Sequence, residues 1–379
     1  MTIRFATVLS LTVLSCGLLT GCGSGDSKAP EPTPLAETVT TPPEPAPPAN
    51  PDDPETVAAL KELELPLREN SDGTVREVDF RGTDATDETV SKIAGLKNLQ
   101  SLLLNDAQIT EPTYQLIGEM TTLTNLDLRG ATVTNQDLSH LTGLTSLKAL
   151  RLSGKSGATD IDDDGMVHIG KLTKLKALPL DFTYVSVDGL KHLSNLKDLE
   201  ELYLAGTYAD DEAIAVLKQF PKLKKVRLSQ TQVSSEGLAG LKDIPELQEI
   251  DLSENSLISD DGLRRLGELT TLQKLNLWRV QVTDTGAAHL AGLTNLEWLN
   301  LDNTQLSDDG LPALKDMQKL KFLHLGSTQV SDAGLTHLEG LTALEDLKVT
   351  RTAVTAEGVD ALQKKLPDTR IQLKYIEGQ

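Results

Sequence analysis

The chain is 379 residues long, 39 % apolar and only 3 % aromatic, and its formal charge is −20 at pH 7. Binding to nucleic acid depends on Lys and Arg neutralising phosphates, so this balance argues against such a partner and disfavours direct docking on anionic lipid head groups. Length alone would suggest two or three compact domains, but a sequence repeat replaces that estimate with one continuous core.

In chain order, residues 1–21 read as a targeting segment. Arg4 supplies a positive start, and Phe5 to Leu19 is an apolar run too short for a comfortable membrane span. Leu19-Thr20-Gly21-Cys22 then resembles the lipobox of bacterial lipoproteins. That resemblance implies cleavage before Cys22 and acylation of its thiol and new amine, which is enough for stable anchoring. An ordinary secretory signal or an uncleaved helix is the alternative. Gly23 follows the cysteine, in place of the Asp that retains many lipoproteins in the inner membrane, so the outer membrane is favoured. Cys16 leaves with the signal. The mature chain then has one cysteine, which excludes an intrachain disulfide, a thiolate metal cluster and any cysteine nucleophile other than Cys22.

Residues 22–54 contain ten of the 17 prolines, scattered among Ser, Thr, Ala and Glu. Without apolar periodicity this composition gives an extended tether. Residues 55–75 are expected to form an N-terminal helical cap, because Val57, Leu60 and Leu63 fall at helical spacing and Asn70-Ser-Asp-Gly73 is a turn into a strand. From 76 to 367 a 24-residue unit, L-x-x-L-x-L-x-x-T-x-V-[ST]-D-x-G-L-x-x-L-x-x-L, recurs about twelve times. One such unit cannot bury its apolar face alone, so the period means a solenoid. Its L-x-L core alternates as a strand does, with leucines inward and the intervening residues outward. Its [ST]-D-x-G-L-x-x-L stretch has helical spacing, with Thr283, Ser307 and Ser331 as caps and the following Asp at the positive end of the helix dipole. The ninth position is a Thr at 83, 183, 207, 231, 304, 328 and 352 and Asn255 once, and an inward polar group there can satisfy backbone leaving the strand. Ala107, Ala131, Lys155 and Val280 interrupt that row. Residues 368–379 close the array: Pro367 breaks the last helix, and Arg370 to Tyr375 alternates like a charged edge strand.

The repeat resembles the leucine-rich repeat family, and its T-x-V-T-D-x-G-L variant looks like the repeats of bacterial surface and envelope lipoproteins. The resemblance implies an α/β fold, a right-handed horseshoe with a parallel concave sheet and short convex helices. It further implies a protein, peptide or glycan ligand on the concave face, and very few members are enzymes. Gly286-Ala-Ala-His-Leu-Ala291 also resembles the GAxxLA signature of F-box-type effectors, which would imply a ubiquitin-ligase-like adaptor; residues 55–73 are too short for an F-box.

Candidate sites sort by their place in the unit. His140, His168, His192, His289 and His337 share one slot on the convex helices, at least one unit apart, and only His324 falls on a strand. Asp160, Asp162 and Asp164 copy the opening of a calcium-binding EF-hand loop, but the twelfth position is Lys171 instead of Glu, so an acidic surface bulge is expected, with a weak calcium site as the alternative. No nucleophile elbow, phosphate-binding loop or HExxH motif occurs, so no enzyme activity, metal or cofactor is expected. The outward strand positions carry Tyr203, Arg227, Trp298, Asn300, Phe322 and His324, with Trp278 and Arg279 at a strand exit. Trp298 and Phe322 hold the same position in successive units and should touch. Such residues suit a binding hot spot, or with Asn276, Asn300 and Asp302 a stacked sugar; alternatively they only pack across strands in a structural spacer. Phe182 and Tyr184 are expected to form a lesser cluster.

Overall fold

The computed structural model describes residues 50–374. The signal segment, the lipidation site at Cys22, the tether up to residue 49 and the tail from Tyr375 lie outside the described residues.

A 14-stranded sheet runs the length of this region. From Val75–Asp79 to Arg370–Gln372 the strands are parallel and lie in chain order. The cause is the L-x-L core: central residues such as Leu275, Leu299 and Leu323 are fully buried and sit in register with their counterparts in the next unit. Short α and 3-10 helices between the strands pack their leucines onto the same layer. The four-residue insertion after Ser153 adds a second ladder, in which Val133–Thr134 pairs with Thr159–Asp160.

Where the ninth position is polar, its side chain closes the turn. The hydroxyls of Thr83, Thr183, Thr207, Thr231, Thr304, Thr328 and Thr352 donate at 2.6–2.8 Å to the carbonyl three residues back. Asn255 reaches further, since its Nδ2 donates to the carbonyls of both Leu252 and Leu228 and so joins two units.

The S/T-D-x-G signature also joins units. The Asp that opens one helix accepts from the backbone N–H and the hydroxyl of the cap residue of the next. Asp211 with Ser234, Asp260 with Thr283, Asp284 with Ser307 and Asp308 with Ser331 all do so, at 2.7–2.9 Å and 2.5–2.6 Å respectively. The Gly three residues beyond that cap lies against the same carboxylate: a Cβ on Gly237 would overlap Asp211, and one on Gly334 would overlap Asp308.

The cap contains more than a helix. Asp53 caps the helix Pro54–Glu62, and the strand Leu67–Glu69 then pairs antiparallel with Val75–Asp79 across the predicted turn. Residues 50–53, read above as tether, already bond to the first units. Asp52 is buried and accepts from the N–H groups of Val75 at 2.7 Å and Lys97 at 2.9 Å.

Candidate functional site

On the strands Lys225–Arg227, Glu249–Asp251, Trp298–Asn300 and Phe322–His324 the residues flanking the buried centre are partly exposed, so the open side of the sheet displays rows of side chains one unit apart. In one row Glu201, Lys225, Glu249, Lys274, Trp298 and Phe322 follow each other in register. Its charges alternate and pair: Lys225 lies 3.0 Å from Glu201 and 3.9 Å from Glu249, and Lys274 lies 3.1 Å from Glu249. In the neighbouring row Arg227 covers the ring of Tyr203 at 4.6 Å and reaches Asp181 at 2.7 Å and Asp251 at 3.7 Å. Burial pushes the Asp181 carboxyl above its ordinary range although Arg227 opposes the shift.

Trp298 and Phe322 stack face to face, with ring centroids 4.9 Å apart and planes 4° from parallel. His324 meets the edge of Phe322 at 6.3 Å, and the Lys348 amine lies 5.7 Å over the same ring. Burial, aided by the Lys348 charge and opposed by Asp302, holds the His324 imidazole below its usual value. Gly326 admits this arrangement, because a Cβ there would come within 2.8 Å of both His324 Nε2 and Asp302 Oδ1. At the exit of the strand Lys274–Asn276, Trp278 carries Arg279 at 5.4 Å, and Arg279 pairs with Glu254 at 2.8 Å. Asn276 and Asn300 each spend their Oδ1 on the turn that follows, accepting from the N–H of Trp278 and Asp302.

Tyr203, Arg227 and Trp298 line an open hollow of about 300 Å³ whose floor is the strand Glu249–Asp251 with Lys225, Lys274 and Asn276. Asn300, Phe322, His324, Trp278 and Arg279 are outside its lining, and His324 borders a separate polar hollow of about 80 Å³. Trp298 therefore joins the hollow of Tyr203 and Arg227 to Phe322 and His324, while Trp278 and Arg279 form a separate pair on Glu254. Sequence reading passed over Glu249, Asp251, Lys274, Lys348 and Asp181. Their signal was available, since four of them occupy the same outward rows, but only the scarce aromatic and Arg residues stood out against a charged background.

Elsewhere the expectations divide. Phe182 and Tyr184 do not form a cluster: Phe182 lies under the Lys155 amine at 5.6 Å, whereas Tyr184 stacks on Tyr208 at 6.2 Å. Phe182 takes a left-handed backbone conformation (φ 60°) just after the strand ends at Asp181, so strand alternation does not carry on to Tyr184. His140, His168, His192, His289 and His337 lie in helical segments away from the sheet's open side. Asp162 caps the helix Asp163–Ile169 and accepts from Asn135 at 2.6 Å. Among the described residues no three His, Cys, Asp or Glu converge as a metal ion would need.

A family profile described as "Leucine-rich repeat region" matches residues 76–265, and one described as "Leucine rich repeat" matches residues 270–330. An internalin of Listeria monocytogenes is similar in structure over 86% of this chain and 91% of its own, with 24% identity and a TM-score of 0.57. A leucine-rich repeat protein of Leptospira interrogans is similar over 74% of each chain, with 21% identity and a TM-score of 0.51. At these identities the likeness is one of fold. No curated protein matches by sequence.

Proposed function

Because the chain belongs to the leucine-rich repeat family, we propose that it is a non-catalytic recognition protein of the bacterial cell envelope, lipid-anchored at Cys22. Proteins of this family are typically binding scaffolds, and a protein partner in general is what the family supports. The observation that carries the reading is the Trp298–Phe322 stack on the open sheet face. A chain with only 3 % aromatic residues has set two of them in contact there, and large aromatics of this kind anchor interfaces.

Capture of partners from envelope extract tests the proposal. Trp298→Ala should remove about 2 kcal/mol or more of binding while the melting temperature stays close to wild type. A spacer reading also has an observation in its favour, because Tyr203, Trp278 and Phe322 each carry a cation of the chain itself. A folded Trp278→Ala/Trp298→Ala double variant that keeps every partner would decide for the spacer.

A further inference from the structure

Trp298 differs from the other aromatics of the sheet face. One side of its indole is fixed by Phe322, and the other lines the hollow over Glu249–Asp251. No cation of the described residues lies over that free side, whereas Tyr203, Trp278 and Phe322 are each covered by Arg or Lys. The indole is thus a rigid wall whose second face borders the hollow beside Lys274 of the same row.

The floor restricts what that ligand can be. Lys225, Lys274 and Arg227 are already held by carboxylates at 3.0, 3.1 and 2.7 Å. A cationic ligand would have to displace one of these cations from Glu249 or Asp251, and an anionic one would have to displace a carboxylate. An apolar side chain would stack on the indole but bury the ion pairs without replacing their water, which costs desolvation of each charge. A neutral polyhydroxylated ring avoids all three costs. Its C–H face packs on the indole, while its hydroxyls donate to Glu249 and Asp251 and accept from Lys274 without breaking any pair. Asn276 adds a donor, since its Oδ1 is engaged by the Trp278 N–H and its Nδ2 bonds to nothing among the described residues. The volume, about 300 Å³, lies at the lower end of small-molecule sites.

We propose that this hollow is a subsite for a neutral saccharide, stacked on Trp298 and hydrogen-bonded by Glu249, Asp251, Lys274 and Asn276. The inference rests on the sheet face being the recognition surface. Titration calorimetry of the full chain with cellotetraose, maltotetraose and the N-acetylglucosamine tetramer tests it, beside oligogalacturonate and the glucosamine tetramer as charged counterparts. At least one neutral sugar should bind saturably, and more tightly than either charged one. Trp298→Ala should weaken it at least about tenfold, and so should Asn276→Asp, which keeps the turn acceptor but removes the donor. If Trp298→Ala fails to fold, Asn276→Asp carries the test alone. Absence of binding by all neutral sugars at millimolar concentration overturns the proposal. So does tighter binding of a charged sugar, or unchanged affinity in a folded variant. Partner capture that depends on Trp298 without any sugar binding would sink the saccharide subsite and leave the recognition function standing.

Discussion

Leu299 and Trp298 are adjacent in the chain and opposite in environment. Leu299 is fully buried in the leucine layer, between its register partners Leu275 and Leu323. Leu299→Ala should cost about 2–5 kcal/mol in chemical denaturation, because the neighbouring layers hold the cavity open. Trp298→Ala forfeits chiefly its stack on Phe322, and such pairs contribute about 0.5–1.5 kcal/mol. Equal losses at the two positions would show that the inward and outward sides are misassigned. This alternation was readable from the L-x-L period, and so was the Trp298–Phe322 contact, because both residues hold one position in successive units. The ion pairs around them were not. Arg227 reaches past its neighbouring strand to Asp181, a reach that depends on side-chain conformation and leaves no spacing in the sequence.

Helix starts were legible one unit at a time, through Ser, Thr and Asp at the cap. The clamp between units was not, because it relates residues in consecutive repeats. Its logic can be tested at Asp211, Ser234 and Gly237. Asp211→Ala leaves the Ser234 N–H and hydroxyl without their acceptor, at a cost of about 1–3 kcal/mol. Gly237→Ala drives a methyl group into the Asp211 carboxylate and should also destabilise. The Asp211→Ala/Gly237→Ala double variant removes the two closest of those contacts, leaving only the Cβ of residue 211 at 2.9 Å, so its thermal or urea-measured loss should be smaller than the sum of the singles. Strict additivity would mean that the glycine serves another purpose. The chain has already made a related exchange: Val187 opens a helix in place of Asp, and in the next unit Ala213 stands where Gly recurs.

At the scale of the whole molecule, the solenoid and its parallel sheet were legible because the period itself dictates stacking. The N-terminal end was legible only in part. Its helix showed apolar spacing, but the three residues of Leu67–Glu69 are too few to show alternation, and nothing in the composition of Asn50–Asp53 marks Asp52 as a buried acceptor. Anchoring belongs to this scale too. Cys22→Ser should yield a chain without lipid, and intact-mass analysis of the wild type should show acylation at Cys22 as the first residue. A mature wild type cleaved elsewhere and carrying no lipid would refute the anchor.

The exchange at Val187 and Ala213 also bears on how the array assembles. Near-identical units invite docking out of step, a recurrent failure of repeat proteins. If the units slipped by one, Asp163 would meet the acidic cap Asp210 in place of the donors of Ser186, while Val187 would face Ser234 and give its N–H and hydroxyl no acceptor. Together with the insertion after Ser153 and the bridging Asn255, this pair acts as an address within the array, so that each unit can tell which neighbour is its own.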